Sequence, residues 1–317
     1  MNRLRSADGQ TTVFVAIMMV FLVAMVALVL DIGSWFREQR SAQSTVDAAA
    51  LAGAQKLPFD PTKAASTATA YAQNNGGDDG LVITISSKWT PNDQITVTQA
   101  KPASGFFSKV LGISAVTVHA HATAVSEQPS EPLGVAPIAV NIKHPDLSGA
   151  ACPALLPAGS QCFGPAYQTT IPLGKTGAPG SFTMLNLDQN DQNGTIGASE
   201  LANWLTNGFN QYLDVGDYFS DPGAKFNDSK IQSALLAQNG YELLFPVYDT
   251  LVGTGSNADY HVIAWVGFHL TGSNAIDGNT GTISGYFTRI IKTGIVASTG
   301  PPTNVPDLGV RAVALIN

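Results

Sequence analysis

Residues 11–30 read TTVFVAIMMVFLVAMVALVL and contain no charged side chain. Twenty helical residues rise about 30 Å, which is the thickness of the hydrocarbon core of a bilayer. A core helix of a soluble protein is seldom apolar on every face over such a length. The sequence therefore predicts one transmembrane helix over residues 11–30, preceded by a short cytoplasmic tail over residues 1–10.

A cleaved secretory signal is the main alternative for this stretch. Its apolar region is usually shorter and ends at a small-residue cleavage site. Here the apolar run continues into Asp31 and Ile32 without such a site, which favours a retained anchor. Arg3 and Arg5 precede the span, while the other flank mixes charges of both signs, so the positive-inside rule is mildly satisfied. We expect the long C-terminal part to lie outside the cytoplasm.

The helical pattern continues beyond the predicted membrane span. Apolar and small residues recur at helical spacing between residues 32 and 57, and Pro58 ends the pattern. Residues 47–54 are almost all small, which lets another helix approach closely. Two interpretations stay open: this face packs against the protein's own domain, or it packs against a partner's helix. In the second case the partner face is formed by Asp47, Ala50, Gly53 and Ala54.

This N-terminal segment resembles that of TadE/TadG-like proteins of the Flp (tight-adherence) pilus assembly systems. The resemblance is carried by Gly9-Gln10, by the aspartate–glycine pair Asp31-Ile-Gly33 at the membrane exit, and by Gln43 followed by Asp47-Ala-Ala-Ala-Leu-Ala-Gly53. It covers residues 8–57 strongly and residues 62–125 loosely. It implies a bacterial envelope protein with an extracytoplasmic C-terminal part and no catalytic activity.

The chain departs from the family pattern at two places. Pilin-like members carry glutamate at the fifth position after the cleavage glycine, whereas Phe14 is the fifth residue after Gly9. A retained, unprocessed anchor is therefore favoured. Some larger members carry a metal site of the form D-x-S-x-S, but the nearest string, Asp146-Leu-Ser148-Gly-Ala150, lacks the second serine. That metal site is not expected here.

The remaining sequence predicts an α+β protein. A helix is expected over residues 62–75, strands over 81–86, 94–98 and 116–125, and a short helix over 106–111, so that residues 31–125 form the long amphipathic helix plus a small α+β unit. Residues 126–132 read as a linker. Residues 133–317 read as a mainly antiparallel β domain, in which residues 198–213 are the one convincing helix. Its expected strands are 135–141, 182–187, 242–249, 260–270, 282–290 and 309–316.

Charge and cysteine content limit the functional classes. Charged residues make up 12% of the chain and the net charge is -7, without a dense basic cluster, so a nucleic-acid partner is not expected. The two cysteines, Cys152 and Cys162, lie ten residues apart in a Pro/Gly-rich stretch. In an oxidising compartment such a pair can close a small loop, and we expect a disulfide rather than two free thiols.

One stretch resembles a calcium-binding EF-hand loop. In the segment 189–200, positions three, five and twelve are Asp191, Asn193 and Glu200, and a glycine at position six permits the turn. Position one is Gln189 instead of an acid, and no convincing helix precedes the loop. The two interpretations are a weak calcium site and a polar turn before a helix.

The sequence contains no G-x-S-x-G, Walker or G-x-G-x-x-G string, so no catalytic residues are assigned. The leading prediction is a single-pass, membrane-anchored, non-catalytic structural component of the bacterial cell envelope, associated with Flp pilus assembly or secretion. Its expected partners are the membrane and other pilus-assembly or envelope proteins, without a small-molecule substrate and with calcium as the one candidate cofactor. The alternatives are a membrane-tethered, calcium-assisted binding or adhesion module and an anchored hydrolase.

Overall fold

The computed structural model describes residues 8–77, 80–150, 152, 161–173, 184–188, 196–221, 227–253, 258–273, 281–295 and 305–316. The chain divides into two compact units, Met1–Val125 with Ala314–Asn317, and Ser126–Val313. The predicted α+β class is confirmed: a long apolar N-terminal helix precedes short helices and mostly antiparallel sheets.

The first helix, α1, runs without a break over Asp8–Ala54, a length of about 70 Å. Its apolar part presents large side chains outward, with Phe14 and Val20 about 70% exposed. Such exposure of an apolar helix is what contact with lipid requires. In the described residues α1 is the one helix long and apolar enough to cross a membrane.

The second half of α1 forms the core of the first unit. Its buried side chains are small, and they face α2, Pro61–Asn74, whose inward residues Ala64, Ala68 and Ala72 are fully buried. The carboxylate of Asp60 caps α2 by accepting the backbone N–H of Lys63 at 2.8 Å. Alanines on both helices let the two backbones lie close together, so the packing depends on the absence of large side chains.

Three antiparallel strands complete the first unit: β1 over Leu81–Ser86, β2 over Gln94–Ser104 and β3 over Ala115–Glu127. Buried Ile95 and Val97 of β2 belong to the core of this unit. The strand β2 extends past the predicted residue 98 despite Pro102. The proline is tolerated because pairing with β1 ends at Gln99, so that β2 has a neighbour on its β3 side only at that point.

The second unit is built around a six-stranded sheet. Its short elements are β4 Glu131–Pro132, β5 Val140–Asn141, α3 Pro145–Ser148, β6 Thr169–Pro172, α4 Ala198–Asn207, β7 Gly216–Phe219 and α5 Ser229–Ala237. Then follow β8 Glu242–Val252, β9 Asp259–Ser273, β10 Thr282–Thr288, β11 Ile290–Ile291, β12 Gly294–Ile295 and β13 Val310–Ile316. The strand order is β5-β8-β9-β10-β6, with β7 beside β9. Large aromatic side chains, among them Trp265, Phe268 and Phe287, fill its core.

Several sequence predictions for the second unit were wrong. The helix predicted over residues 198–213 ends at Asn207, because Gly208 has φ +77° and comes so close to the backbone of Gly134 that a Cβ atom would lie 2.5 Å from it. It is also not the only substantial helix of the second unit. The helix α5, which the sequence analysis did not predict, follows it. Of the strand expected over 135–141, the regular part is β5 alone.

The segment 126–132, which the sequence suggested as a linker, is largely buried. Ser126 and Glu127 form the end of β3, and both are less than 5% exposed. The side-chain amide of Gln128 donates to the carbonyl oxygen of Pro306 at 3.0 Å. These residues therefore belong to the body of the second unit.

Two glycines of α1 provide a matched test of the close packing between α1 and α2. A Cβ atom at Gly53 would lie 2.6 Å from Cδ1 of Ile95 and 3.0 Å from Cβ of Ala68, whereas one at Gly33 would meet nothing within 4 Å. We expect Gly53→Ala to destabilise the first unit by about 1–3 kcal/mol through overpacking. Gly33→Ala should instead be neutral or stabilise it by up to about 1 kcal/mol, because alanine favours the helix.

Thermal unfolding of the full chain in detergent, followed by circular dichroism, measures both variants. Equal shifts in Tm for the two substitutions would contradict the packing role of Gly53.

Candidate functional site at the membrane-proximal turn

The chain returns to the end of the predicted membrane span at a turn formed by residues 105–113, here called the membrane-proximal turn. Asp31 is the first residue after the predicted span, and its side chain is 1% exposed. Its carboxylate accepts the backbone N–H of Phe106 at 2.6 Å, that of Phe107 at 3.1 Å and that of Ser108. One side chain on α1 thus holds three consecutive amides that lie 75–77 residues further along the chain.

The local sequence of the turn makes this geometry possible. Gly105 has no side chain, and a Cβ atom there would lie 3.0 Å from Oδ2 of Asp31. The turn continues into a single 3-10 segment, Ser108–Leu111, which Gly112 ends with φ +81°. The helix predicted over 106–111 is therefore shorter and tighter than expected, since the amides of Phe106, Phe107 and Ser108 donate to Asp31 and Gly112 ends the segment.

A second contact from the motif ties α1 to the sheet of the same unit. The side-chain amide of Gln43 donates to Oδ1 of Asp47 at 2.8 Å and to the backbone carbonyl of His121 on β3 at 2.8 Å. Two residues after Gln43, the hydroxyl of Thr45 donates to the carbonyl oxygen of Asn75. The motif residues of α1 thus form intramolecular contacts over several successive turns of the helix.

The small-residue face predicted as a candidate partner surface lies in the same region. Ala50 and Ala54 are fully buried, Gly53 lies against Ala64 and Ala68 of α2, and Asp47 is half-buried beside Gln43. This is the arrangement expected from packing against the protein's own domain. Contact of this face with a partner's helix stays a prediction.

An apolar groove of about 270 Å³ lies between the turn and the predicted span. The α1 residues Ala24, Ala27 and Leu28 line one side, and Phe107, Val110 and Ile113 of the turn line the other. The turn itself exposes large apolar side chains: Phe106 is 72% exposed and Val110 is 86% exposed. The site is an apolar surface whose backbone is held in place by the buried carboxylate of Asp31. It is suited to contact with an apolar partner rather than to catalysis.

The predicted calcium loop is only partly within the described residues. Asp191 and Asn193 lie outside them. Glu200 is exposed in the first turn of α4, where its backbone N–H donates to the carbonyl oxygen of Gly197. Among the described residues, no group of three or more histidine, cysteine, aspartate or glutamate side chains is arranged to hold a metal. Calcium binding at this loop stays a prediction.

The cysteine pair is joined in the structure. Cys152 and Cys162 form a disulfide with a Cα–Cα distance of 5.4 Å, which is the usual spacing for such a bridge. Cys162 is fully buried, and its backbone N–H donates to the carbonyl oxygen of Asp146.

Two histidines of β9 each contact a carboxylate on a neighbouring strand. His261 contacts Asp217 at 2.6 Å, and His269 contacts Glu242 at 3.2 Å. The hydrogen bond with Asp217 raises the pKa of His261 above its usual value, and neighbouring carboxylates add to this effect. The pair His261–Asp217 is largely exposed on the sheet surface and joins neighbouring strands β9 and β7, so we interpret it as a cross-strand contact.

The carboxylate of Asp31 can be tested by its effect on the turn. Asn has the same shape, but its amide nitrogen cannot accept a hydrogen bond, so Asp31→Asn leaves some of the amides of residues 106–108 without an acceptor. We expect faster hydrogen exchange there in the full chain, measured by mass spectrometry.

Asp93 supplies the matched control, because its carboxylate accepts the amides of Lys88, Trp89 and Thr90 within the same unit. Asp93→Asn should accelerate exchange at residues 88–90 and leave 106–108 unchanged. Unaltered exchange at 106–108 in Asp31→Asn would show that the carboxylate does not hold the turn.

The calcium prediction has its own test at Glu200. If the loop binds calcium, a glutamate at position twelve supplies two of the six to eight oxygens, so Glu200→Gln should abolish most of the binding. Titration calorimetry and the shift in Tm at millimolar calcium measure it, since a ligand that binds only the folded state stabilises that state. Absence of both heat and a Tm shift in the unsubstituted protein would mean that the loop is a polar turn.

Comparison with known proteins bears on the first helix alone. No match was found among curated proteins or among solved structures. Residues 9–56 match the family model of the putative Flp pilus-assembly TadE/G-like proteins, designated Tad. This range covers α1, including Asp31, Gln43, Asp47 and Gly53. The N-terminal segment of this chain is therefore TadE/G-like, as its motif predicted.

Proposed function

We propose that this protein is a membrane-anchored, non-catalytic structural component of a Flp-pilus assembly or secretion apparatus, with its two units outside the bacterial cytoplasm. The observation that carries the proposal is a coincidence of three properties in α1. The same helix matches the TadE/G-like model, is apolar enough to cross a membrane, and forms the core of the first unit.

The contacts of α1 indicate what such an anchor does. Asp31, Gln43 and Gly53 fasten the helix to the first unit from the end of the span onward. A continuous helix held in this way keeps the unit at a fixed distance from the bilayer. That property suits a component that positions other proteins of an envelope assembly.

The disulfide supports the extracytoplasmic placement. Such bridges persist in oxidising compartments and are rare in the bacterial cytoplasm. Because Cys152 and Cys162 are joined in the second unit, that unit fits a location across the membrane from the N-terminal tail. The mild excess of arginine before the span points in the same direction.

Two measurements test the proposal. The first is topology: with the native cysteines paired, Leu236→Cys, an exposed position of α5, should react with a membrane-impermeant maleimide in intact spheroplasts. Ser6→Cys in the N-terminal tail should react only after lysis. The reverse pattern would contradict the extracytoplasmic placement.

The second measurement is assembly. Deletion of the gene should abolish Flp pili on the cell surface, and the intact chain should restore them. Normal pili combined with a loss of calcium-dependent adhesion would instead favour the tethered adhesion module.

A further inference from the structure

The membrane-proximal turn exposes a cluster of apolar side chains in the first unit. Phe107 immediately precedes the 3-10 segment Ser108–Leu111, Val110 lies within it and Ile113 follows it. All three are at least 45% exposed, and Phe106 beside them is 72% exposed. A cluster of this kind on a soluble surface is unfavourable, so it marks a contact with something apolar.

The depth of the turn identifies the apolar medium. Phe107, Val110 and Ile113 line the same groove as Ala24, Ala27 and Leu28. Ala24 lies six residues, or about 9 Å along the helix axis, before the end of the predicted span at Leu30. Side chains level with these residues lie within the outer part of the hydrocarbon layer whenever α1 crosses it.

Six backbone amides of the turn have acceptors within the protein, which suits them to that depth. Non-helical backbone is tolerated in a bilayer only where its polar groups are satisfied within the protein. The amides of Phe106, Phe107 and Ser108 donate to Asp31, and those of Val110, Gly112 and Ile113 donate to carbonyl oxygens of Phe107, Lys109 and Ser108. Asp31 thus takes the place that water would have at an ordinary surface loop.

Lys109, the one charged side chain of the turn, has a position that agrees with this depth. Lys109 is exposed between the apolar positions, and a lysine at the edge of the hydrocarbon extends its ammonium group to lipid phosphates.

We infer that residues 106–113 form a second membrane-embedded element, inserted into the leaflet at the end of the span, with phospholipid acyl chains as the occupant of the groove beside Ala24 and Leu28. The inference rests on the membrane anchoring in the proposed function, and it is independent of any role in pilus assembly. Its consequence is that the first unit is held against the bilayer at two points, so that it cannot rotate freely about the axis of α1.

Depth-dependent fluorescence quenching tests this in the full chain. Because the native cysteines are disulfide-bonded, a single introduced cysteine can be labelled with an environment-sensitive fluorophore without reduction. Three exposed valines form a matched set: Val110→Cys in the turn, Val20→Cys in the span and Val82→Cys on β1 of the same unit. The labelled proteins are reconstituted in vesicles of phosphatidylethanolamine and phosphatidylglycerol that contain acyl-chain nitroxide lipids.

We expect the label at residue 110 to show blue-shifted emission, strong quenching by nitroxides near the headgroup end of the acyl chain and loss of quenching by aqueous iodide. The label at residue 82 should show the opposite, and the label at residue 20 should be quenched by nitroxides deeper in the chain. Ile113→Cys provides a second position in the turn, which should behave like residue 110.

The outcomes separate the inference from the proposed function. If residues 110 and 113 are quenched by iodide as residue 82 is, while residue 20 is quenched by lipid, the inserted turn is overturned and the anchor stands. If residue 20 is not quenched by lipid, the anchor and the inserted turn both fail. If lipid vesicles leave residue 110 exposed and only native membranes protect it, the groove binds a partner's helix and the inference is wrong.

Discussion

The hydrogen bonds of the Asp31 carboxylate are the interaction on which the first unit depends. A buried carboxylate is costly unless donors surround it, and here three consecutive backbone amides from Phe106 to Ser108 supply them. Because Asp31 lies where the helix leaves the predicted span, the same hydrogen bonds fix the position of the turn relative to the end of that span. Gln43 and Gly53 then extend the attachment of α1 to β3 and α2 over the next 22 residues, or about 33 Å of helix. The anchor and the small α+β unit are therefore one folded body rather than a domain on a flexible stalk.

The features that sequence could predict are those that depend on a local period or composition. The helix over the predicted span, the continuation of α1, the helix at residues 61–74 and the strands β1 and β3 all carry their own pattern and lie within a few residues of their predicted bounds, whereas β2 extends six residues past its predicted end. The role of Asp31 could not be predicted, because its partners lie 75–77 residues away and are backbone amides, which carry no signature of their own. The small-residue face around Ala50 was equally ambiguous, since small side chains permit close approach by α2 or by another protein's helix.

The errors in the second unit have physical causes of the same kind. Segment 126–132 is rich in polar residues and proline, yet Ser126 and Glu127 extend β3 and are buried, because pairing of a strand is a tertiary property. The helix α5 did have a local signal, an N-cap aspartate, Asp228, whose carboxylate accepts the amide of Lys230 at 2.8 Å. That signal is weak on its own because the surrounding apolar pattern is short. The end of α4 at Gly208 depends on close contact with Gly134, which no local pattern reveals.

The range of the family match has a consequence for what α1 requires around it. Residues 9–56 end almost where the helix ends, yet they contain Asp31, Gln43 and Gly53, whose contacts lie outside the matched range on α2, β2, β3 and the membrane-proximal turn. An isolated helix of this sequence would leave the Asp31 carboxylate at the edge of the hydrocarbon without its amide donors, an arrangement that costs free energy in proportion to its desolvation. It would also expose an alanine-rich face. Burial of such small side chains is stabilising mainly when the backbone of a second helix can pack closely against them. The matched segment is therefore not a self-sufficient anchor: its own polar and small residues require a following unit that supplies a turn for the carboxylate and a helix for the small-residue face, and in this chain residues 60–125 provide both.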